Sequence, residues 1–425
     1  MEVNSAIKMR SIDEFDFSGK WVLLRPDINS PIDPVTKKIV NDNRIKATIP
    51  TIRDILDKGA RLAIIAHQGD TLDYHNLIPM KEHAEKLSQY LGREVKYIDD
   101  VCGPAAQEAV KALQPGEAIL LGNLRYLCEE ISTFENAVKL KAEEMLNTYL
   151  VRSLAPLFDF YVNDAFAAAH RNAPSMVAFQ ELLPTAAGRQ LMEEYSALTK
   201  VMKAPVKPSV FVLGGAKISD AFGMMKQVLE NGTADKILAC GITGEIMLWA
   251  MGKKLGSKKE KFLTDRELHL FVEPAKEYLR DYPGKIEVPL DLAYEKDGQR
   301  VEISAENLPA EEMYMDIGEK TIARYREILA SAGTIFVNGP AGVYENKLFE
   351  KGTREIWNAI AEAPGYSVIG GGDTVSAASR FIDLGKISYV CTAGGAMVRF
   401  LSGKKLPLIE AMEKAYTKNI TSRVK

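Results

Sequence analysis

Three glycines and an acid run in a row, Gly370-Gly-Gly-Asp373, between an apolar stretch, Tyr366 to Ile369, and a helical pattern that starts at Thr374. A strand that ends in glycines and opens into a helix lets backbone N–H groups approach phosphate oxygens, and the helix dipole favours their charge. The Asp373 carboxylate beside such oxygens would offer Mg²⁺ the hard ligand it takes, although an aspartate there would serve equally as an N-cap. Leu213-Gly-Gly-Ala-Lys217 repeats the theme with Lys217 as the cation; alone it is weak, since glycine pairs after strands are common turns. Asn338-Gly-Pro-Ala-Gly-Val-Tyr-Glu345 and Thr392-Ala-Gly-Gly-Ala396 add two more glycine-bearing strand-to-helix turns. The outline is a polyphosphate and magnesium site. The pattern GxxxxGK[ST] is absent and no GxGxxG opens the chain, which disfavours a P-loop NTPase and a standard dinucleotide-binding dehydrogenase.

The N-terminal half carries a different chemistry. Arg25-Pro-Asp-Ile-Asn-Ser-Pro31, Ala66-His-Gln-Gly-Asp70, Gly122-Asn-Leu-Arg-Tyr126 and Asn163-Asp-Ala-Phe-Ala-Ala-Ala-His-Arg171 each follow an apolar run. With Arg44 they gather Arg25, Arg44, Arg125, Arg171, His67 and His170. Any one arginine near a strand end reads as a surface ion pair. Their common place after strands points instead to guanidinium forks around phosphate or carboxylate, and so to a small anionic substrate bearing one or both.

The elements that must hold these residues are apolar runs of four to eight residues separated by amphipathic stretches, the pattern of parallel sheets covered by helices. The fold class is α/β. Trp21 to Leu24, Arg61 to Ala66, Glu94 to Tyr97, Ala118 to Leu121 and Phe160 to Asn163 make one sheet. Ser209 to Leu213, Lys236 to Ala239, Lys285 to Val288, Gly333 to Asn338, Tyr366 to Ile369 and Ile387 to Cys391 make another. Helices are expected at Asn43 to Lys58, Met80 to Leu91, Pro104 to Leu113, Phe134 to Leu154, Ala187 to Val201, Thr264 to Tyr282 and Glu319 to Ala330. The two prolines of Lys203-Ala-Pro-Val-Lys-Pro208 stop a helix and stiffen the entry to the next strand, so a boundary falls there.

At 425 residues the chain has room for two to three domains. Lys+Arg 54 against Asp+Glu 57 leaves a net charge of -3, which gives no support to a nucleic-acid surface. Cys102, Cys128, Cys240 and Cys391 are scattered, without a CxxC pair; they read as buried thiols in a reducing compartment. With no apolar run of membrane length and no signal-peptide core at Met1 to Phe17, the expectation is a cytoplasmic protein, monomer or homodimer, with small-molecule ligands.

The motifs together resemble the phosphoglycerate kinase family, in order and over essentially the whole chain. Arg25 to Asn29 is similar to that family's RVDFN, His67 lies in an SHLGR-like turn, Asn123 to Tyr126 matches N-[LV]-R-[FY], and Val162 to Arg171 matches VNDAFGTAHR. Gly214 to Asp220 matches GGAKVSD, Asn338 to Glu345 NGPMGVFE, Gly370 to Thr374 GGGDS/T, and Thr392 to Ala396 TGGGA. The wording of Arg25 to Pro34 is nearest the archaeal branch. The resemblance implies two Rossmann-like parallel-sheet domains that face each other across a hinged cleft: residues 1–190 for 3-phosphoglycerate, rejoined by a C-terminal helix 405–425, a connecting helix 191–203, and residues 204–404 for Mg-ATP or Mg-ADP. It implies Asp27, Asn29, Arg44, His67, Arg125 and Arg171 at the acceptor, with Arg44 and Lys217 at the transferred phosphoryl group. It implies Gly214, Gly215, Lys217, Asn338, Glu345, Gly371, Gly372, Asp373 and Thr374 at the nucleotide, Glu345 at the ribose and Asp373 at Mg²⁺.

Four departures stand out. Asp70, followed by Thr71, replaces the arginine of SHLGRP, with His75 as a compensating group if the turn is opened. Gly122 replaces a glutamate, Pro26 a valine, and Ala221 the second lysine of GGAKVSDK, for which Lys226 is a substitute on the same helix. Three functions fit: transfer of a phosphoryl group between ATP and 3-phosphoglycerate, the same transfer to another carboxylate, or a non-catalytic nucleotide-binding regulator.

Overall fold

The computed structural model describes residues 7–69 and 76–418. Of the described residues, those up to Ser196 together with residues 405–418 form one compact unit, and Ala197–Lys404 form the other.

The first unit is built on a parallel sheet of β1 (Trp21–Pro26), β2 (Arg61–Ile64), β3 (Val95–Tyr97), β4 (Ala118–Leu120), β5 (Phe160–Asp164) and β6 (Thr185–Ala187), in the order β3-β4-β2-β1-β5-β6. Val22, Leu23 and Leu24 are wholly buried, as continuous apolar runs must be when helices cover both faces. Leu24 pairs with Ile64 on one side and Val162 on the other. The chain leaves β1 in one direction and returns on its other side as β5. This reversal opens a crevice at the carboxyl ends of the strands, where Arg25 pairs with Asn163. Helix α1 (Asn43–Asp57) covers the sheet with Ile45, Ile49, Ile52 and Ile55, and α2 (Arg189–Lys203) contains the point where the units divide.

The second unit repeats the plan. Strands β7 (Ser209–Leu213), β8 (Lys236–Ala239), β9 (Ile286–Glu287), β13 (Thr334–Asn338), β14 (Tyr366–Gly370) and β15 (Tyr389–Cys391) form a parallel sheet in the order β15-β14-β13-β7-β8-β9, so the reversal lies between β7 and β13. Between β9 and β13 the chain makes an antiparallel sheet of β10 (Asp291–Lys296), β11 (Gln299–Ser304) and β12 (Asp316–Ile317). The helices that matter below are α3 (Ile218–Glu230), α4 (Gly241–Ala250), α5 (Ser257–Asp265), α6 (Gly372–Phe381) and α7 (Gly395–Leu401). Helix α8 (Pro407–Lys418) belongs to the first unit, where the Leu408 amide donates to the Ala169 carbonyl (3.2 Å) and Lys414 pairs with Glu181 (2.7 Å).

Several sequence expectations need correction. The helix expected at Phe134 to Leu154 is three short ones, Ser132–Val138, Ala142–Met145 and Tyr149–Leu154, because Lys139 takes a left-handed conformation (φ 54°) and ends the first. The helix expected at Thr264 to Tyr282 is broken at Glu267 (φ 59°), which separates α5 from the helix Val272–Asp281. The short edge strand β6 and the antiparallel sheet were not foreseen. Cys128 is exposed, not buried; the other three cysteines are buried, and no disulfide joins any of the four. Among the described residues no helix is long and apolar enough to cross a membrane.

Candidate functional site

At the carboxyl ends of β1, β2, β4 and β5 the first unit assembles a basic pocket. Arg25 closes β1 and is 3% exposed. Its guanidinium donates to the Ser175 hydroxyl (3.1 Å), to the carbonyl of Pro26 (2.7 Å) and, through Nη2, to Nδ1 of His67 (3.0 Å). A guanidinium only donates, so Nδ1 of His67 carries the lone pair and its proton sits on Nε2. Burial, then the charges of Arg25, Arg125, Arg171 and Arg44, hold the imidazole well below its ordinary pKa. His67 is therefore a neutral Nε2–H donor ringed by four arginines, and Arg25 is the residue that orients it.

The other pocket residues are held with equal definition. Arg44, from α1, pairs with Asp27 (3.1 Å), whose second oxygen accepts from the Asn29 amide (3.1 Å). The Asn29 side-chain oxygen accepts from the Gly69 amide (3.0 Å), which leaves its NH₂ to donate. Arg125 and Arg171 converge on one acceptor, the Glu130 carbonyl, at 2.8 and 3.4 Å, and Arg171 also pairs with Glu135 (2.7 Å). The Glu130 carboxylate is buried beneath them, accepting from the amide and hydroxyl of Ser175 at 2.7 Å each; burial pushes its pKa up while Arg25 pulls it down. Sequence reading missed Glu130 and Ser175, since a glutamate in a loop and a serine beside a proline carry no signal. His170, grouped with the arginines by sequence, lies half-buried next to Arg171.

Two departures find reasons here. Gly122 donates its amide to the Asp100 carbonyl (3.0 Å), and a Cβ on it would meet the Asp100 and Val101 backbone at 3.1 Å, so no glutamate fits without moving that chain. Pro26 is the last residue of β1, where a missing donor costs little. Asp70, Thr71 and His75 lie outside the described residues.

In the second unit the ends of β7, β13 and β14 line a cavity of about 770 Å³. Gly214, Gly215, Lys217, Asn338, Glu345, Gly371, Gly372, Asp373 and Thr374, the nine residues expected at a nucleotide, all line it. Lys217 Nζ lies 3.9 Å from Asp373, both side chains being mostly exposed. The glycines play a different part from the one expected of them. The Gly214 amide donates to the Asn338 carbonyl (3.0 Å) and the Gly215 amide to the Pro340 carbonyl (2.8 Å), so neither is left for a phosphate. A Cβ on Gly214 would overlap the Pro340 carbonyl oxygen; glycine is there so the two loops can touch. Thr374 is 1% exposed and its hydroxyl oxygen accepts from the Gly339 amide (2.8 Å), while Asn338 donates to the Gly370 carbonyl (2.9 Å). Among the amides that remain are those of the first turn of α6, which have no intrahelical acceptor.

Gly371 (φ 95°) is the N-cap of α6, so Asp373 is not the cap but a first-turn residue whose carboxylate opens into the cavity. A single exposed carboxylate beside phosphate oxygens fits Mg²⁺, which keeps most of its shell as water and substrate oxygen. Among the described residues no group of three or more His, Cys, Asp or Glu could hold a metal alone. Ala221 is 1% exposed and faces the core, and Lys226 is exposed but away from the cavity wall, so neither supplies the second cation. The wall contains cations that sequence did not single out: Arg399, Lys404 and Lys259, the last buried against Glu245 at 2.7 Å.

Known proteins place the chain among close likenesses. The family profile described as phosphoglycerate kinase matches residues 12–404. The phosphoglycerate kinase of Methanococcus maripaludis is 45% identical over 96% of this chain and 99% of its own, and that of Methanothermus fervidus 41% over 96% and 98%. The crystal structure of phosphoglycerate kinase from Pyrococcus horikoshii superposes with a TM-score of 0.84 at 37% identity, covering 96% of this chain and 100% of that one. The structure from Coxiella burnetii gives 0.81 at 32%, covering 96% and 99%.

Proposed function

The chain belongs to the phosphoglycerate kinase family, and on that premise we propose how its residues divide the work. The protein is an enzyme, a phosphotransferase that moves a phosphoryl group between ATP and the carboxylate of 3-phosphoglycerate, giving 1,3-bisphosphoglycerate and ADP, and runs in glycolysis or in reverse. The observation that carries this reading is the 45% identity over 413 residues, since the two pockets alone would also suit another carboxylate.

The acceptor lies in the first unit. Asn29 and His67 donate to it through neutral N–H groups, and Arg125 and Arg171 supply charge that the Glu130 carbonyl has aligned. Its carboxylate is ionised at neutral pH, so the transfer needs no general base, only alignment and neutralised charge. Arg44, steadied by Asp27, and Lys217 carry that charge at the phosphoryl group. The nucleotide lies in the cavity of the second unit, with Glu345 at the ribose and its phosphates toward the first turn of α6. Asp373, with the phosphates, would hold Mg²⁺, which when bound would supply further neutralisation of the phosphate charge. Because an acyl phosphate hydrolyses readily, the two ligands should be brought together by hinge closure with water excluded. We read the protein as cytoplasmic, a monomer or homodimer, in keeping with four cysteines that form no disulfide.

A coupled assay of the purified protein tests the reading: ADP release from Mg-ATP should depend on 3-phosphoglycerate. A protein that binds Mg-ATP yet releases no ADP with 3-phosphoglycerate would overturn it, and turnover of another carboxylate instead would assign Asp70 to a changed acceptor.

A further inference from the structure

The nucleotide cavity poses a charge problem. Two of its lining acids are already neutralised, Asp316 by Arg300 and Glu245 by Lys259, each at 2.7 Å. Asp220, Glu345 and Asp373 remain, and among the expected residues only Lys217 opposes them. A cavity with three carboxylates and one ammonium repels a polyphosphate. The position that would add a second lysine on α3 holds Ala221, turned into the core. From there no cation reaches the ligand.

We propose that Arg399, in the last turn of α7, and Lys404, just after it, supply this charge and bind the phosphate chain of the nucleotide. Both line the cavity, both side chains are exposed, and among the described residues neither makes an ion pair. With them the cavity holds three cations against these three carboxylates, before Mg²⁺ is added. Their delivery is built into the packing. Helix α3 carries Gly223 where a Cβ would approach the Ser402 hydroxyl to 3.0 Å, so α7 lies close along the helix that lacks the lysine. The Lys404 amide donates to the Arg399 carbonyl (2.9 Å), which turns the chain after α7 and keeps the two cations on one end of it. An arginine fork matches two phosphate oxygens, whereas Lys404 acts as a point charge. The role is phosphate binding only; nothing in this placement involves the base or the acceptor.

The proposal rests on the nucleotide reading of the cavity, and its test separates the two. Calorimetry with ADP and with adenosine, which has no phosphate, is run on wild type, Arg399→Gln, Lys404→Gln, the double variant and Arg399→Lys. The double variant should bind ADP about tenfold or more weakly, with adenosine within about twofold of wild type. Arg399→Lys should retain part of the affinity, and added salt should weaken ADP binding less in the double variant than in wild type. Both residues are exposed, so folding is preserved. Unchanged ADP affinity in the double variant would overturn the proposal, as would an equal loss for adenosine. A wild type that binds neither ligand would overturn the nucleotide reading beneath it.

Discussion

Nη2 of Arg25 lies 3.0 Å from Nδ1 of His67, and since the guanidinium can only donate, this one bond sets the tautomer of a histidine 42 residues away. His67 should remain neutral, with its proton on Nε2, at pH values below the ordinary histidine pKa near 6.5. Nitrogen-15 NMR of labelled protein reads this directly. In Arg25→Met the titration should move back toward pH 6.5, whereas Arg25→Lys keeps a donor and much of the wild-type behaviour. A wild-type imidazole protonated on Nδ1 would contradict the assignment. The sign for stability follows: an unfolded histidine takes a proton below about pH 6.5 and the folded one does not, so this group's contribution falls as pH drops.

Lys217 is exposed on the cavity wall and its charge counts mainly when the phosphoryl group is in flight. Lys217→Ala should lower kcat by roughly a hundredfold while nucleotide affinity stays within about tenfold. Equal losses in binding and turnover would assign it to ground-state binding instead.

Asp373 is a first-turn residue of α6, mostly exposed, and not its N-cap. Asp373→Asn should therefore leave thermal stability nearly unchanged. It should weaken Mg-ADP binding more than binding of ADP with magnesium chelated. Calorimetry in the two conditions compares them.

Lys259 and Glu245 form an ion pair on the cavity wall with side chains 4% and 5% exposed. Lys259→Met would strand a buried carboxylate and should cost about 3–5 kcal/mol in a urea titration. Replacing both, with Glu245→Leu added, should restore most of that loss, because the penalty comes from the unpaired charge. A double variant as unstable as the single would show that Lys259 acts by packing.

Asp164 is buried, and burial raises its pKa from 3.8 to about 7, despite donation from the Thr51 hydroxyl (2.6 Å) and the Leu191 amide (2.9 Å) at the start of α2. The folded state then binds a proton that the unfolded chain has lost, so this group should make stability fall as pH rises from about 4 to about 7. In Asp164→Asn that component of the slope should vanish. Denaturation midpoints measured across that range decide it.

Local order in the chain carried most of the architecture. The central strands of the two parallel sheets, such as β1, β7 and β13, are apolar runs that periodicity alone exposes, because strands buried on both faces leave little polar alternation to confuse them, whereas the short edge strands β3 and β9 include a lysine and a glutamate and are less buried. The hairpin β10–β11 carries a local mark too, since Asp297-Gly298 is a two-residue turn with both residues at positive φ, but its half-exposed, charged strands lack the continuous apolar runs of the parallel sheets. The helix breaks at Lys139 and Glu267 had no such mark, since the intrinsic preference of lysine or glutamate does not signal a left-handed conformation. The same divide runs through the pockets. Glycine turns, arginines after strands and Lys217 were visible because the chemistry needs those residue types next to strand ends. That His67 is neutral, that the amides of Gly214 and Gly215 are spent, that Ala221 faces the core and that Arg399 reaches the cavity follow from which groups lie within 3 to 4 Å of one another across tens to more than a hundred residues of chain. Periodicity fixes which face a residue is on; only folding brings distant faces together and settles which donors, acceptors and charges are still free to meet a ligand.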